Sequence, residues 1–221
     1  MYHLRYNLFL LINFNENNIY ILIQISNNKT IQNTREVSEK MKELILKRKD
    51  GEVFNGEIKV LNKGHIDQIM KLQKEIINGL EIRELYADSS RESFIECINN
   101  KGKILGCFVE DELIAMGVYI KYEYNHENYG YDLGLEGDDL LKVGQIESTV
   151  VREDYRGNKL QKIICDLIEG LAKEENLKII GATVSPINKY SLNTFINSGY
   201  TIEDEKIKYG EYRRYILKKE I

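Results

Sequence analysis

The sequence predicts a mixed α/β (α+β) protein, one mixed sheet with helices on both faces, preceded by a small β-β-α extension. Three observations lead there. Alternating and β-branched apolar runs recur along the chain, amphipathic stretches of helical period lie between them, and Asn, Gly and Ser clusters mark the joins. Hydrophobic content of 43% beside 30% charged residues is that of a globular protein. No apolar run approaches the ~20 residues that span a bilayer, so no membrane partner is expected.

Residues 2–14 and 19–25 read as strands joined by the turn Asn15-Glu16-Asn17-Asn18. Thr34-Arg35-Glu36-Val37 resembles a capped helix start, with Val37, Met41, Leu44 and Ile45 at helical spacing before a stop near Gly51. Residues 1–53 are therefore expected to form the β-β-α extension. It is too small to bury a core alone, and packs on the next domain or on another subunit of a homodimer. A second domain, 54–221, opens with a strand at 54–61. An amphipathic helix follows, carrying Ile66, Ile69, Met70, Gln73, Ile76 and Ile77. Ser89-Ser90-Arg91-Glu92 starts another helix, with Phe94, Ile95 and Ile98 on its apolar face. Strands at 103–110 and 113–120 make a hairpin, and a long connection leads to a strand at 145–151. The helix after it carries Leu160, Ile163, Ile164, Leu167, Ile168 and Leu171. A buried strand at 178–184, a helix at 188–197 stopped by Gly199, and strands at 200–207 and 212–217 complete the chain.

Composition removes several function classes. Cys97, Cys107 and Cys165 are irregularly spaced among apolar residues, which predicts buried reduced thiols, a cytoplasmic location and no disulfide framework. The histidines, His3, His65 and His126, are too scattered to share a helix face, so no metal is expected. Net charge is +2 over residues 1–55 and −6 over the remainder, without a basic stripe, which argues against nucleic acid.

The segment 148–164 carries the most chemistry. A β-branched stretch ends at Val151, and Arg152-Glu153-Asp154-Tyr155-Arg156-Gly157-Asn158-Lys159-Leu160-Gln161 turns into an amphipathic helix. A helix start has N–H groups without intrahelical partners and a partial positive charge, so it suits an anion such as pyrophosphate. Gly157 opens the approach, and Arg156 adds a fixed cation.

This string resembles the acetyl-CoA-binding segment of the GNAT family of N-acetyltransferases, whose pattern is Arg-x-x-Gly-x-Gly/Ala after a strand ending in Val. Arg156 fills the arginine position, while Lys159 and Gln161 stand where the family has small residues. The element order from residue 54 onward is also that of the GNAT acyl-CoA N-acyltransferase fold. A second, looser segment runs from Ser185 through Asn188 and Tyr190 to Gly199-Tyr200, and resembles the family's Asn-x-x-Ala-x-x-x-Tyr-x-x-x-Gly-Phe pattern. Phe195 occupies the position of the usual tyrosine acid.

The resemblance implies direct transfer of an acetyl group from acetyl-CoA, as co-substrate, to a primary amine, and needs no metal. It implies that main-chain groups of Thr149, Val150 and Val151 pair with pantetheine as an added strand would. One of those N–H groups would meet the acetyl oxygen. Phosphates fall to Arg156, Gly157, Asn158, Lys159, Leu160 and Gln161, and Asn188 either contacts the cofactor arm or caps its helix. With Phe195 unable to give a proton, Tyr190 or Tyr200 is the substitute acid, or the thiolate leaves unaided. Glu147, in phase with Thr149 and Val151, is the candidate base, and a carboxylate salt-bridged to a lysine is its structural alternative. His126 is a weaker candidate. The connection 122–141, rich in Asp, Glu and Tyr and free of Lys and Arg, suits a small cationic metabolite, and a plain solvated loop with a short helix after Gly137 is the alternative. Two other readings stay open: a CoA-binding module without transferase activity, and an interaction protein whose N-terminal unit recruits a partner.

Overall fold

The structure, a computed structural model, describes residues 10–15, 18–23, 40–100 and 102–221, with side chains from residue 42 onward. Contacts divide the chain into residues 1–37 and residues 38–221. In the first unit, β1 (Leu10–Asn15) and β2 (Asn18–Ile23) form an antiparallel hairpin closed at Asn15 and Asn18, the Asn-rich turn. The remaining residues of the two expected strands, 2–9 and 24–25, lie outside the described residues.

The second unit is built on one eight-stranded sheet. Its strands are β3 (Lys40–Lys47), β4 (Val53–Val60), β5 (Gly102–Val109), β6 (Glu112–Ile120), β7 (Val143–Val151), β8 (Ile179–Val184), β9 (Thr201–Lys208) and β10 (Tyr212–Glu220). They lie in the order β3-β4-β5-β6-β7-β8-β10-β9, and only β7 and β8 run parallel. β5 and β6 are buried along nearly all their length because helices cover both faces. Glu110 and Asp111, both at positive φ, make the tight turn between them.

The segment expected as the extension's helix is strand β3 from Lys40 onward, and residues 34–39, its expected start, lie outside the described residues. Leu44 and Leu46 face the sheet's interior while Ile45 is 79% exposed, a period of two rather than 3.6. Leu44 serves either period, with Ile45 in the helical set and Leu46 in the alternating one. The partner strand decides, since β4 has an edge to pair and Gly56 leaves a hollow. A Cβ there would stand 2.5 Å from Leu46 Cδ1, so the leucine fills the space a side chain would take.

On one face lie α1 (Ile66–Asn78) and α2 (Arg91–Asn99), which bury Ile69, Leu72, Ile76, Phe94 and Cys97 against Ile104, Met116, Val118 and Val150. Ser90 caps α2 by accepting from Ser93 N–H. On the other face, α4 (Leu160–Glu174) buries Leu160, Ile164, Cys165, Ile168 and Ala172. It approaches so closely that a Cβ on Gly117 would lie 2.3 Å from Ile164 Cγ2. The long connection holds one short helix, α3 (Tyr129–Asp132), and a 3-10 turn over Gly137–Lys142. α5 (Lys189–Asn197) follows β8. The three cysteines are buried free thiols, and among the described residues no helix is long and apolar enough to cross a membrane.

Candidate active site

A gap in the sheet creates the site. β7 and β8 pair only from Val143 and Ile179 to Ile146 and Ala182, after which the strands part. The parting coincides with a bulge. β7 opposes Val118 with Ser148 and Tyr119 with Ile146, so Glu147 is the extra residue. Beyond it Arg152 N–H bonds Ile114 O at 2.8 Å, and antiparallel alternation then turns the peptide groups of Val150 toward β6. Those of Thr149 and Val151 are thereby left to the open gap.

The cleft in this gap, about 110 Å³, is lined by Ile146 to Thr149 of β7 and Thr183 and Val184 of β8. Ser185, Asn188, Ser191 and Phe195 close one side, and Leu85 to Ser89, Tyr209 and Arg214 the others. Its loop wall, the segment from Leu85 to Ser89, is fixed by Gln73, a buried polar residue on α1. Gln73 Nε2 donates to Ser89 O at 2.8 Å, while its Oε1 accepts from Ser89 N and Tyr86 Oη, each at 3.0 Å. Ser148 in turn donates to Tyr86 Oη at 3.1 Å. Burial pushes the Tyr86 phenol up to about 12. The Ser185 hydroxyl is buried on the cleft without a hydrogen-bond partner among the described residues, so a ligand atom is the natural complement.

Glu147 is held at the bulge by two side chains. Gln145 Nε2 donates to Oε1, and Tyr129 Oη donates to Oε2 at 3.3 Å. Burial raises the Glu147 carboxyl above the usual range, the Gln145 bond works the other way, and the charge on Glu127 raises it further. From Tyr129 a hydrogen-bond chain continues to Tyr209 Oη and on to Thr183 Oγ1, the last link at 2.9 Å. Tyr209 is 42% exposed, and desolvation of its hydroxyl end in the cleft, with Glu147 close by, pushes the phenol up to about 12, so it carries its proton at neutral pH. Tyr209 has φ +56 immediately before Gly210, a left-handed conformation that a bulky aromatic rarely adopts. A strained position within a candidate site is where functional residues gather.

The turn into α4 has the properties of an anion site. Gly157 has φ +96, and a Cβ there would meet nothing within 4 Å. Lys159, the residue before the helix, has φ +58 and offers no side-chain cap, so the first N–H groups of α4 stay available. Arg156 and Lys159 are exposed and enter no ion pair among the described residues. The αL conformation at position 159 explains why a glycine is favoured there. Beneath the turn lies the buried Tyr155 ring, edge-on to Phe54 at 6.2 Å.

The structure brings together Glu147, Thr149 and Asn188 on the cleft, with Val150, Val151 and the Arg156–Gln161 turn continuing from the same strand. Asn188 caps α5, its Oδ1 accepting from Ser191 N–H at 3.2 Å. The Asn158 side chain is committed elsewhere: it exchanges two 2.8 Å hydrogen bonds with the backbone of Lys47 and ties β3 to the turn. Gln161 Nε2 reaches Thr149 Oγ1 at 3.1 Å and Ser191 Oγ at 2.8 Å, so its side chain spans from α4 to both cleft walls. Tyr190 and Tyr200 are not on the cleft. Tyr190 is 90% exposed, on the outward side of α5. Tyr200 is 2% exposed in the core behind, packed edge-on to Phe195 at 5.0 Å and bonded to Glu169 at 3.1 Å. Phe195 does line the cleft, and His126 does not. The acidic connection is largely committed locally: Asp132 binds Lys208 at 2.6 Å and Lys206 at 3.3 Å, Asp139 binds Lys142 at 2.7 Å, and Tyr124 donates to Asp138 at 2.8 Å.

Three cleft residues escape a reading by spacing, Tyr86, Tyr209 and Arg214, as does the buried Tyr129 that links Glu147 to Tyr209. The available signals were faint. Tyr209-Gly210 stands where Asn-Gly or Asp-Gly is usual in a hairpin, and Arg214 shares the inward phase of Ile216.

Comparisons agree with this geometry. The fold matches the GNAT domain of an S. lividans protein, PAT, with TM-score 0.56 at 14% identity, over 81% of this chain and 97% of that one. A probable acetyltransferase from Staphylococcus epidermidis matches with TM-score 0.58 at 18% identity, over 75% and 98%. A putative acetyltransferase from Salmonella typhimurium, solved with its cofactor acetyl-CoA, matches with TM-score 0.57 at 10% identity, over 75% and 93%. No curated protein sequence matches the chain. A sequence profile described as the acetyltransferase (GNAT) family matches residues 66–200, so the chain belongs to that family and is an acetyl-CoA-dependent N-acetyltransferase.

Proposed function

We propose that the protein moves an acetyl group from acetyl-CoA directly to the primary amine of a small metabolite, with Glu147 as base and Tyr209 as acid. The observation that carries this is the bulge at Glu147. It coincides with the parting of β7 and β8, so a buried carboxylate stands beside peptide groups that have no strand to pair with. Pantetheine then lies along the open edge of β7 at Thr149 and Val151, and phosphates meet the α4 start with Arg156 and Lys159. Asn188 holds the arm through the amide NH2 that its cap leaves over, and Ser185 offers a further hydroxyl.

Glu147 takes a proton from the acceptor's ammonium group, directly or through one water, which exposes the nitrogen lone pair. A main-chain N–H of β7 receives the oxygen of the thioester carbonyl as nitrogen bonds to its carbon. As the carbon–sulfur bond breaks, Tyr209 gives its proton to the leaving thiolate. The chain Glu147–Tyr129–Tyr209 then returns the amine's proton to Tyr209, which balances the cycle without a covalent enzyme intermediate. Tyr129 is thus a relay rather than a spectator.

The acceptor's positive charge is drawn by Glu147, the cleft carboxylate with no ion-pair partner among the described residues, since Asp88 is paired with Arg83 and Asp132 and Asp139 of the acidic connection have lysine partners. A cytoplasmic location suits three buried free thiols. Incubation with acetyl-CoA and a pooled panel of primary amines, read by mass spectrometry, tests the reading. A product heavier by one acetyl group supports it. Tight CoA binding with no product across a broad panel favours a CoA-binding module instead, a reading for which the Gln161 bridge to Thr149 and Ser191 speaks.

A further inference from the structure

Arg214 is 3% exposed and lines the cleft, yet no carboxylate pairs with it among the described residues. Among the described residues its guanidinium donates to two backbone oxygens, Arg213 O at 2.8 Å and Glu84 O at 2.9 Å. Two of its five N–H groups are thereby placed, and three remain. Its flat faces are covered by tyrosines, with the Tyr212 ring centre 5.1 Å and the Tyr209 ring centre 5.7 Å from the guanidinium carbon. Stacking and carbonyls fix where the group sits without neutralising it. Burial lowers its affinity for the proton, and the phenols and the more distant Glu84 oppose that only in part. A buried cation is ordinarily paired. This one is oriented, desolvated and unpaired, on the wall beside the candidate acid.

We propose that Arg214 is the subsite for a carboxylate on the acceptor, so that the substrate class is an amine that also bears a carboxylate, an amino acid or a close analogue. This rests on the transferase reading of the same cleft and narrows it. Glu147 supplies the negative charge that draws the ammonium end, and Arg214 is the one cation among the lining residues. The Tyr209 hydroxyl is tied to Tyr129 and Thr183 while its ring lies against the guanidinium, so the acid stands between the two charged ends. A planar fork matches a carboxylate in two parallel hydrogen bonds. One guanidinium in a cleft of about 110 Å³ suits a compact monoanion better than a phosphate ester with two charges.

The test compares amino acids with their α-carboxamides, which keep shape and amine and lose the charge. With acetyl-CoA saturating, the wild type is expected to favour the acids by at least tenfold in kcat/KM. Arg214→Gln should abolish that preference, and Arg214→Lys should keep part of it. Equal use of acid and amide by the wild type overturns the assignment, as does an Arg214→Gln variant that loses the same factor on both. Thermal melts of each variant establish that it is folded. Should CoA bind and nothing be acetylated, the transferase reading fails separately, and the subsite is read from binding. A rise in Tm with amino acids but not with their amides, lost in Arg214→Gln, then sustains the subsite, and equal shifts refute it.

Discussion

The two sides of the cleft are made of different material. The β7 edge and the α4 start work through peptide N–H groups and the ends of secondary structure, with Arg156 and Lys159 as exposed helpers. The rest of the site works through side chains: Glu147 at the β7 bulge, Tyr129 behind the cleft, and Tyr209, Thr183 and Arg214, drawn from three strands, a short helix and a hairpin turn. A backbone donor survives any substitution except proline. A side-chain donor survives almost none. Side-chain changes at the first region should therefore move affinity by small factors, while changes at the second should move turnover by large ones.

The largest expected effect is at Glu147. Glu147→Gln keeps the size of the side chain and removes the base, so kcat/KM should fall by ~10²–10⁴ at neutral pH while CoA affinity stays put. In the wild type the rate should drop as pH falls through the raised carboxyl value, and the variant should lose that limb. An unchanged pH–rate profile would strike Glu147 from the mechanism. Stability carries an independent sign. The folded-state value lies above the unfolded one, so the folded protein binds the proton more tightly. The stability this contributes is whole below the ordinary carboxylate range and fades as pH rises through the raised value. Glu147→Gln should accordingly raise Tm by a few degrees at neutral pH and leave it nearly unaltered in acid. A variant less stable at neutral pH would mean that the carboxylate holds the bulge in place rather than straining it.

Tyr209→Phe comes second. It keeps the ring under Arg214 and deletes the hydroxyl that bonds Tyr129 and Thr183. Turnover should drop toward the lower end of general-acid effects, ~10²-fold, because a thiolate is already a fair leaving group. Acetyl thioesters of more acidic thiols should relieve the defect, and equal defects for all thiols would remove Tyr209 as the acid.

The same contrast explains what was legible in the sequence. A helix start after a β-branched strand, with Arg156 and Gly157 between them, is local, so a short window of residues contains the anion site and its chemistry. The order of elements along the chain from residue 54 was legible for a similar reason, since each element carries its own period. The side-chain wall was not, because it joins Glu147 to Tyr209 and Arg214 across the gap where β7 and β8 part. The family resemblance, with Phe195 at the usual acid position, pointed to Tyr190 or Tyr200, one of which faces solvent and the other Glu169. β3 failed for another cause: Leu44 belongs to a helical set with Ile45 and to an alternating set with Leu46, and the hollow over Gly56 and the edge of β4 choose the strand. Yet that strand supports the site, since Lys47 holds Asn158 by two hydrogen bonds.

Within the backbone region, the side chains that depart from the family's small residues sharpen the contrast. Gln161 ties α4 to Thr149 and Ser191 across the path toward the cleft, so acetyl-CoA binding must break those two hydrogen bonds or work around them. Each neutral bond has a net worth of about 1 kcal/mol, and the displaced amide regains part of it from water. Gln161→Ala should lower KM for acetyl-CoA several-fold with kcat almost unchanged. A raised KM would show instead that the amide is itself a ligand to the cofactor arm.

The smallest effect belongs to Lys159, where conformation and charge pull apart. At φ +58 a lysine carries left-handed strain of about 1–2 kcal/mol, which glycine escapes while losing up to about 1 kcal/mol in backbone entropy. Lys159→Gly should therefore change stability by less than about 1 kcal/mol, most simply as a small gain in Tm. The same change removes a cation that no protein carboxylate pairs with among the described residues, so affinity for CoA should weaken a few-fold, and less at high salt. Lys159→Ala separates the two terms. It should match Lys159→Gly in the loss of affinity and retain the strain, because alanine also has a Cβ. If Lys159→Gly binds CoA as tightly as the wild type in low salt, the ammonium contributes nothing and the phosphate grip rests on backbone N–H groups with Arg156. That outcome would sharpen the contrast, leaving Arg156 as the one side-chain charge in a grip otherwise made of peptide groups.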